Sequence, residues 1–106
     1  MLPQHLRLRK SADIMSVTRT GRRVPRPTLV LHALPSQTPA FGVIVGRRVG
    51  NAVKRNRVKR ILRHGARELI LNSQPMEVVV RALPCEGDLR SDLTTAWAEA
   101  HRKVHP

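Results

Sequence analysis

Between Arg47 and Arg67 the chain reads RRVGNAVKRNRVKRILRHGAR, which holds nine of its twenty lysines and arginines and no acid. Guanidinium and ammonium groups at this density do one kind of chemistry. They neutralise phosphates, and arginine does so with a planar, two-pronged set of hydrogen-bond donors. Groups that break bonds are sparse by comparison. A hydrolase or nuclease needs a general base, an acid, or carboxylates that hold Mg²⁺, and six of the seven Asp and Glu residues lie from Glu68 onward. Asp88 and Asp92, four apart, could share a helical face, but capping of a final helix explains them more simply. Of the five histidines, His5, His32, His64, His101 and His105, only the last two have a helical i, i+4 spacing, and no HExxH accompanies them. No GxxxxGKS/T or GxGxxG loop marks a nucleotide site. Catalysis by these side chains alone is not expected.

The elements that must position the basic groups follow from periodicity. Gly46 and Gly50 bracket Arg47-Arg48-Val49, so the backbone can turn tightly out of a strand, and Asn51 is placed to cap the first free N–H groups of a helix. At about 100° per residue, Val58, Ile61, Leu62, Gly65 and Leu69 fall on one arc and are expected to face a core. Asn56, Arg57, Lys59, Arg60, Arg63 and Arg67 fall on the opposite arc. Like charges at i, i+3 and i+4 cost about 0.2–0.5 kcal/mol per pair. A merely solvated face mixes signs for i, i+4 pairing, and this one offers no acid until Glu68. A polyanion from outside the chain is therefore expected to meet it.

With 106 residues, the chain is expected to form one domain over 1–106, with residues 1–10 as a basic arm around Arg7, Arg9 and Lys10. The formal net charge of +13 points to nucleic acid or an anionic membrane surface. Sixteen of the twenty basic residues lie in residues 1–67 against a single acid there, Asp13, so charge is polarised along the chain. The single Cys85 rules out an internal disulfide and a cysteine-based zinc site, and an inert thiol in a reducing compartment is expected. No apolar run reaches the roughly 18 residues of a membrane span, and no signal peptide opens the chain. No membrane association and a cytoplasmic location are expected.

In chain order, Ser11 offers a cap for a short helix ending at Gly21, with Ile14, Val17 and Met15 facing inward. Arg22, Arg23 and Arg26 with Pro25 and Pro27 suggest a kinked basic link that cannot be a central strand. Thr28 to Leu34 and Phe41 to Val45 are expected strands, paired antiparallel across a Pro-bounded loop. His32 lies mid-strand, where a half-buried histidine is ordinary. Met76 to Leu83 is a further strand with Val78 to Val80 as its apolar centre. A closing helix capped near Ser91 carries Leu93, Ala96, Trp97 and Ala100, with Trp97 as a core anchor. The order helix, two strands, long helix, strand, helix implies an α+β fold with helices against a small sheet.

Gly50 to Arg63, GNAVKRNRVKRILR, resembles the signature of the bacterial ribonuclease P protein family, centred on the Arg-Asn-Arg of 55–57. MLPQHLRLRKSADI, the Gly21-Arg22-Arg23 step, LVLHAL and VVVRALP are similar to further family segments, so the resemblance spans nearly the whole chain. It implies a single-domain α/β sandwich with a small mixed sheet, like the second domain of the fifth small-subunit ribosomal protein, and a left-handed β-α-β crossover. It also implies a subunit that pairs with the ribonuclease P catalytic RNA to remove the 5′ leader of precursor tRNA. Hydrolysis at Mg²⁺, held mainly by the RNA, would belong to the RNA, and no obligatory protein partner is implied. Carried onto this chain, the RNA-binding set is Arg47, Arg48, Asn51, Arg55, Asn56, Arg57, Lys59, Arg60, Arg63 and Arg67. Arg47 and Arg48 replace the two lysines usual before the glycine. The implied leader cleft holds Ile14 and Thr18 where the family usually has Phe, and His32 where it usually has Tyr. His32 keeps a stackable ring, while Ile14 and Thr18 imply weaker or rearranged leader contacts.

The main alternative is a structural RNA-binding protein of the ribosomal type with no part in cleavage, which the charge fits equally well. A DNA-reading helix over 51–71 ranks lower, because a strand and not a short helix precedes it.

Overall fold

The computed structural model describes residues 6–8 and 10–106. The expected arm at 1–10 lies mostly outside these. Three helices, α1 (Ser11–Thr20), α2 (Ala52–Leu71) and α3 (Leu89–Val104), surround four strands, β1 (Arg22–Pro25), β2 (Leu29–Pro35), β3 (Ala40–Ile44) and β4 (Met76–Ala82). The sheet order is β1-β2-β4-β3, with only β3 and β4 parallel. The expected α+β class with a small mixed sheet is thus the observed one.

Two sheet expectations need correction. β2 and β3 run in opposite directions but do not pair, because β4 inserts between them. Val78, Val79 and Val80 are fully buried, so β4 has apolar side chains for both faces and occupies the interior of the sheet. The basic link after α1 contains a strand, since Arg22–Pro25 pairs with Val30–Ala33 at the sheet edge. Proline is tolerated there because an edge strand has one unpaired side.

Alternation then sorts the sheet into two faces. Leu29, Leu31 and Ala33 of β2, Met76, Val78, Val80 and Ala82 of β4, Val24 and Phe41 join α2 and α3 in the main core. Trp97 anchors it, 3 % exposed, 6.1 Å from the Phe41 ring and donating its indole N–H to Ser73 Oγ at 3.2 Å. The other face carries Val30, His32, Gly42 and Val79, and α1 lies over it along β2 and β4. A Cβ on Gly42 would stand 3.5 Å from Ile14 Cγ1 and 3.1 Å from Leu8 Cβ, so residues at both positions cover β3.

The helix ends differ in detail from expectation. Lys10, not Ser11, occupies the N-cap of α1: its carbonyl accepts from the Ile14 N–H at 3.1 Å, and its ammonium side chain has no acceptor with which to cap. Val17 is buried and Ile14 half-buried, whereas Met15 faces solvent at 50 % exposure. Asp88 caps α3 in place of Ser91, its Oδ1 accepting from Ser91 N at 3.0 Å. Asp92 Oδ2 accepts from both Thr28 N and Thr28 Oγ1, at 3.0 and 2.6 Å, which ties α3 to the start of β2. The two aspartates therefore serve structure.

Candidate nucleic-acid interface

α2 is launched by a sharp turn. Arg47–Val49 form a single 3₁₀ turn, and Gly50 follows at φ 153°, a backbone state that side chains disfavour. A Cβ there would also meet Lys54 Cδ at 2.7 Å. Asn51 then caps the helix, its Oδ1 accepting from Lys54 N at 2.9 Å. Asn51, expected as a cap from its position and placed in the RNA-binding set by the family resemblance, thus has its oxygen committed to the backbone.

The buried line of α2 is Val58, Leu62, Ala66 and Ile70, with Ile61, Gly65 and Leu69 half-buried. The core stripe is therefore turned by a fraction of a helical step from the expected arc. α3 packs closely against this side, since Leu93 Cδ2 would stand only 3.0 Å from a Cβ on Gly65. On the far side Asn56, Arg57, Arg60, His64 and Arg67 are exposed, while Lys59 and Arg63 are half-buried on the flank. Arg47 and Arg48 are exposed on the preceding turn. Arg55 departs from this set. It lies three residues before Val58 and seven before Leu62, on the inward side, half-buried, with its Nε buried and unpartnered among the described residues. Lys54 at the first turn is paired with Glu86 at 3.2 Å.

The N-terminal segment completes this surface. Arg7 forms a parallel bridge with Phe41, and Leu8 N–H donates to Phe41 O at 2.9 Å, so the chain at 6–8 runs along the free edge of β3. Arg7 thereby stands across from Asn56, Lys59, Arg60, Arg63 and His64, and the six side chains line a cleft of about 450 Å³. Arg57 and Arg67 project elsewhere on the exposed side. Arg7 was not identifiable as a partner of this face, since only the packing of residues 6–8 on β3 brings it there, whereas the i, i+4 spacing of Arg60 and His64 was a usable signal for His64.

A second basic surface lies on the α1 face of the sheet. The backbone register places Arg23, His32, Val79 and Gly42 side by side across all four strands, with Arg81 one pleat further along β4. Burial, then the guanidinium groups of Arg23 and Arg81, hold the His32 pKa below its ordinary value. His32 Nδ1 is buried without a hydrogen-bond partner among the described residues. Of the other expected cleft residues, Ile14 packs near Gly42, and Thr18 is half-buried with its hydroxyl donating to Met15 O at 3.0 Å. Sequence alone missed Arg23 and Arg81. Arg81 follows Val79 by two in a strand, a usable signal, but Arg23 belongs to the strand hidden by prolines.

The groups around α2 are mostly guanidinium and ammonium, with one amide and one imidazole in the cleft, and the excess of fixed positive charge suits phosphate and repels a metal cation. Among the described residues no three His, Cys, Asp or Glu side chains gather where a metal ion could sit, and no helix is long and apolar enough to cross a membrane.

The sequence pattern of the family described as Ribonuclease P matches residues 2–103. Curated relatives carry the name ribonuclease P protein component. That of Acidothermus cellulolyticus is 46% identical over 90 residues, covering 79% of this chain and 74% of the relative. That of Mycolicibacterium gilvum is 38% identical over 116 residues, covering 98% and 93%. Among solved structures, a mutant RNase P protein of Staphylococcus aureus superposes with a TM-score of 0.84 at 21% identity, covering 92% of this chain and 89% of that one. The RNase P protein of Thermotoga maritima gives 0.65 at 19% identity, covering 91% and 96%.

Proposed function

The chain belongs to the ribonuclease P protein family, and on that premise we propose that the exposed side of α2 docks on the catalytic RNA while the α1 face of the sheet holds the 5′ leader of precursor tRNA. Ribonuclease P is a metal-dependent endoribonuclease whose catalysis is carried by its RNA, and the chain is the protein subunit of that assembly. One domain over 1–106 performs both tasks in this reading, in the cytoplasm, where tRNA is processed.

The observation that carries the proposal is the one-signed exposed side of α2, from Asn56 through Arg57, Arg60 and His64 to Arg67. Phosphates packed around an RNA active site repel one another. Cations laid along them lower that repulsion, so that Mg²⁺ sites made by RNA oxygens fill at lower Mg²⁺ concentration. Arg47, Arg48, Arg57, Arg60 and Arg67 act through direct phosphate contact, and Asn51 acts by fixing the first turn that carries them. Arg55 acts from within, as a half-buried charge under the outer row. On the leader side, Arg23 and Arg81 supply phosphate contacts around the ring of His32, with Ile14 and Thr18 along the helix above.

Purified protein alone should leave precursor tRNA intact. Mixed with its cognate RNA, it should lower the Mg²⁺ needed for leader removal. Cleavage by the protein without RNA, or an unchanged Mg²⁺ requirement on mixing, would overturn the proposal.

A further inference from the structure

The cleft between residues 6–8 and the middle of α2 rests on the RNA-binding reading and takes it further. We propose that this cleft accepts a single unpaired nucleotide turned out of its stack, with its phosphate against Lys59 and Arg60 and its base edge read by the amide of Asn56.

The shape comes first. A paired RNA stem meets a protein helix along a surface, whereas here the wall that bears Arg7 rises opposite α2 and is pinned to Phe41 by the backbone. A fixed concavity of about 450 Å³ lies within the roughly 300–1,000 Å³ of sites that take small ligands. One nucleotide is a ligand of that class.

The chemistry is more selective than charge. Four of the six lining side chains are cations, and the other two are Asn56 and His64. Asn56, Arg60 and His64 follow one another at i, i+4 and i+8, so they form one row along the helix. Asn56 is exposed, and its side chain makes no hydrogen bond among the described residues. Helix formation does not account for it, since Asn is a poorer helix former than the Lys and Arg around it. Nor does phosphate attraction, to which a neutral amide adds little. An amide pairs a donor with an acceptor, the pattern that matches the edge of a base. RNA is read in this way where bases are splayed out and stacked on His or Arg, and His64 and Arg60 lie in the same row.

The test uses full-length protein with the catalytic RNA, alone and together with precursor tRNA. Affinity is measured across a salt series, and base reactivity is mapped by chemical probing. Asn56→Leu, at an exposed helical position, should keep the melting temperature. It should weaken association roughly tenfold at an unchanged salt slope and expose one base that the wild type protects. Asn56→Gln should restore at least part of that protection. Arg60→Ala should instead lower the salt slope by about one. The protected base lies in the catalytic RNA or appears only when precursor tRNA is added, and this identifies the source of the nucleotide. The proposal fails if Asn56→Leu leaves every base protected, or weakens binding without exposing one, while wild-type binding persists. Absence of wild-type binding to the catalytic RNA would instead overturn the underlying RNA-binding reading, and this proposal with it.

Discussion

At His32 one imidazole meets both burial and charge. Its pKa is lowered by burial and by Arg23 and Arg81, so the ring is neutral at neutral pH and can stack on a base without carrying charge. A folded-state pKa below the ordinary 6.5 means that the unfolded chain binds the proton more readily. Stability from this residue is therefore present above about pH 6.5 and is lost as pH falls through the folded value. Urea midpoints between pH 7.5 and 5.5 should fall less for His32→Phe than for the wild type, and parallel curves would contradict the assignment. In leader-binding assays, His32→Ala should lose roughly 1–3 kcal/mol, the worth of base stacking on an aromatic ring, whereas His32→Phe should not. The sequence placed His32 in a strand but did not reveal its neighbours. Arg23 and Arg81 flank it through cross-strand register, which no local pattern encodes.

At the level of elements, α2 was the most legible, because a helix of this length repeats its pattern often enough to fix type, cap and faces. Its small rotation about the axis was not legible, since burial there depends on packing against α3, which approaches closely at Gly65, and no local pattern encodes that contact. Sheet order was less accessible still. β2 and β3 are neighbours in sequence, yet the doubly buried Val78–Val80 stretch draws β4 between them. The turn into α2 gives two expected outcomes. Asn51→Ala should cost about 1 kcal/mol, equivalent to a melting temperature lower by roughly 4–8 °C in a domain of this size. Asn51→Ser, another good cap, should recover both stability and RNA affinity. Loss of affinity in a fully stable Asn51→Ser protein would show that the amide itself touches RNA. Gly50→Ala should destabilise by roughly 1–3 kcal/mol, because its φ of 153° suits only glycine.

Across the whole molecule, charge is sorted as strongly as hydrophobicity. Arg26 is drawn away from the basic surfaces, donating from Nε to Thr95 Oγ1 at 3.2 Å and pairing with Glu99 at 3.6 Å. The acids of α3 thus bind locally while the far side of α2 stays positive. If docking uses six to ten phosphates, affinity for the catalytic RNA should fall about 10³–10⁵-fold between 50 and 200 mM salt. Arg57→Ala should weaken that association and Glu99→Ala should not; equal effects would sink the assignment of faces. The strand of residues 6–8 laid along β3 has one more consequence. An open sheet presents two rows of unpaired backbone groups to any passing chain. Here prolines and arginines guard the β1 margin, and the bond from Leu8 N–H to Phe41 O shields the other. Leu8→Pro, which deletes that donor, should leave a protein that self-associates as concentration rises, visible as growing light scattering at constant secondary structure. By this account residues 6–8 also close the β3 edge to pairing with the backbone of another chain.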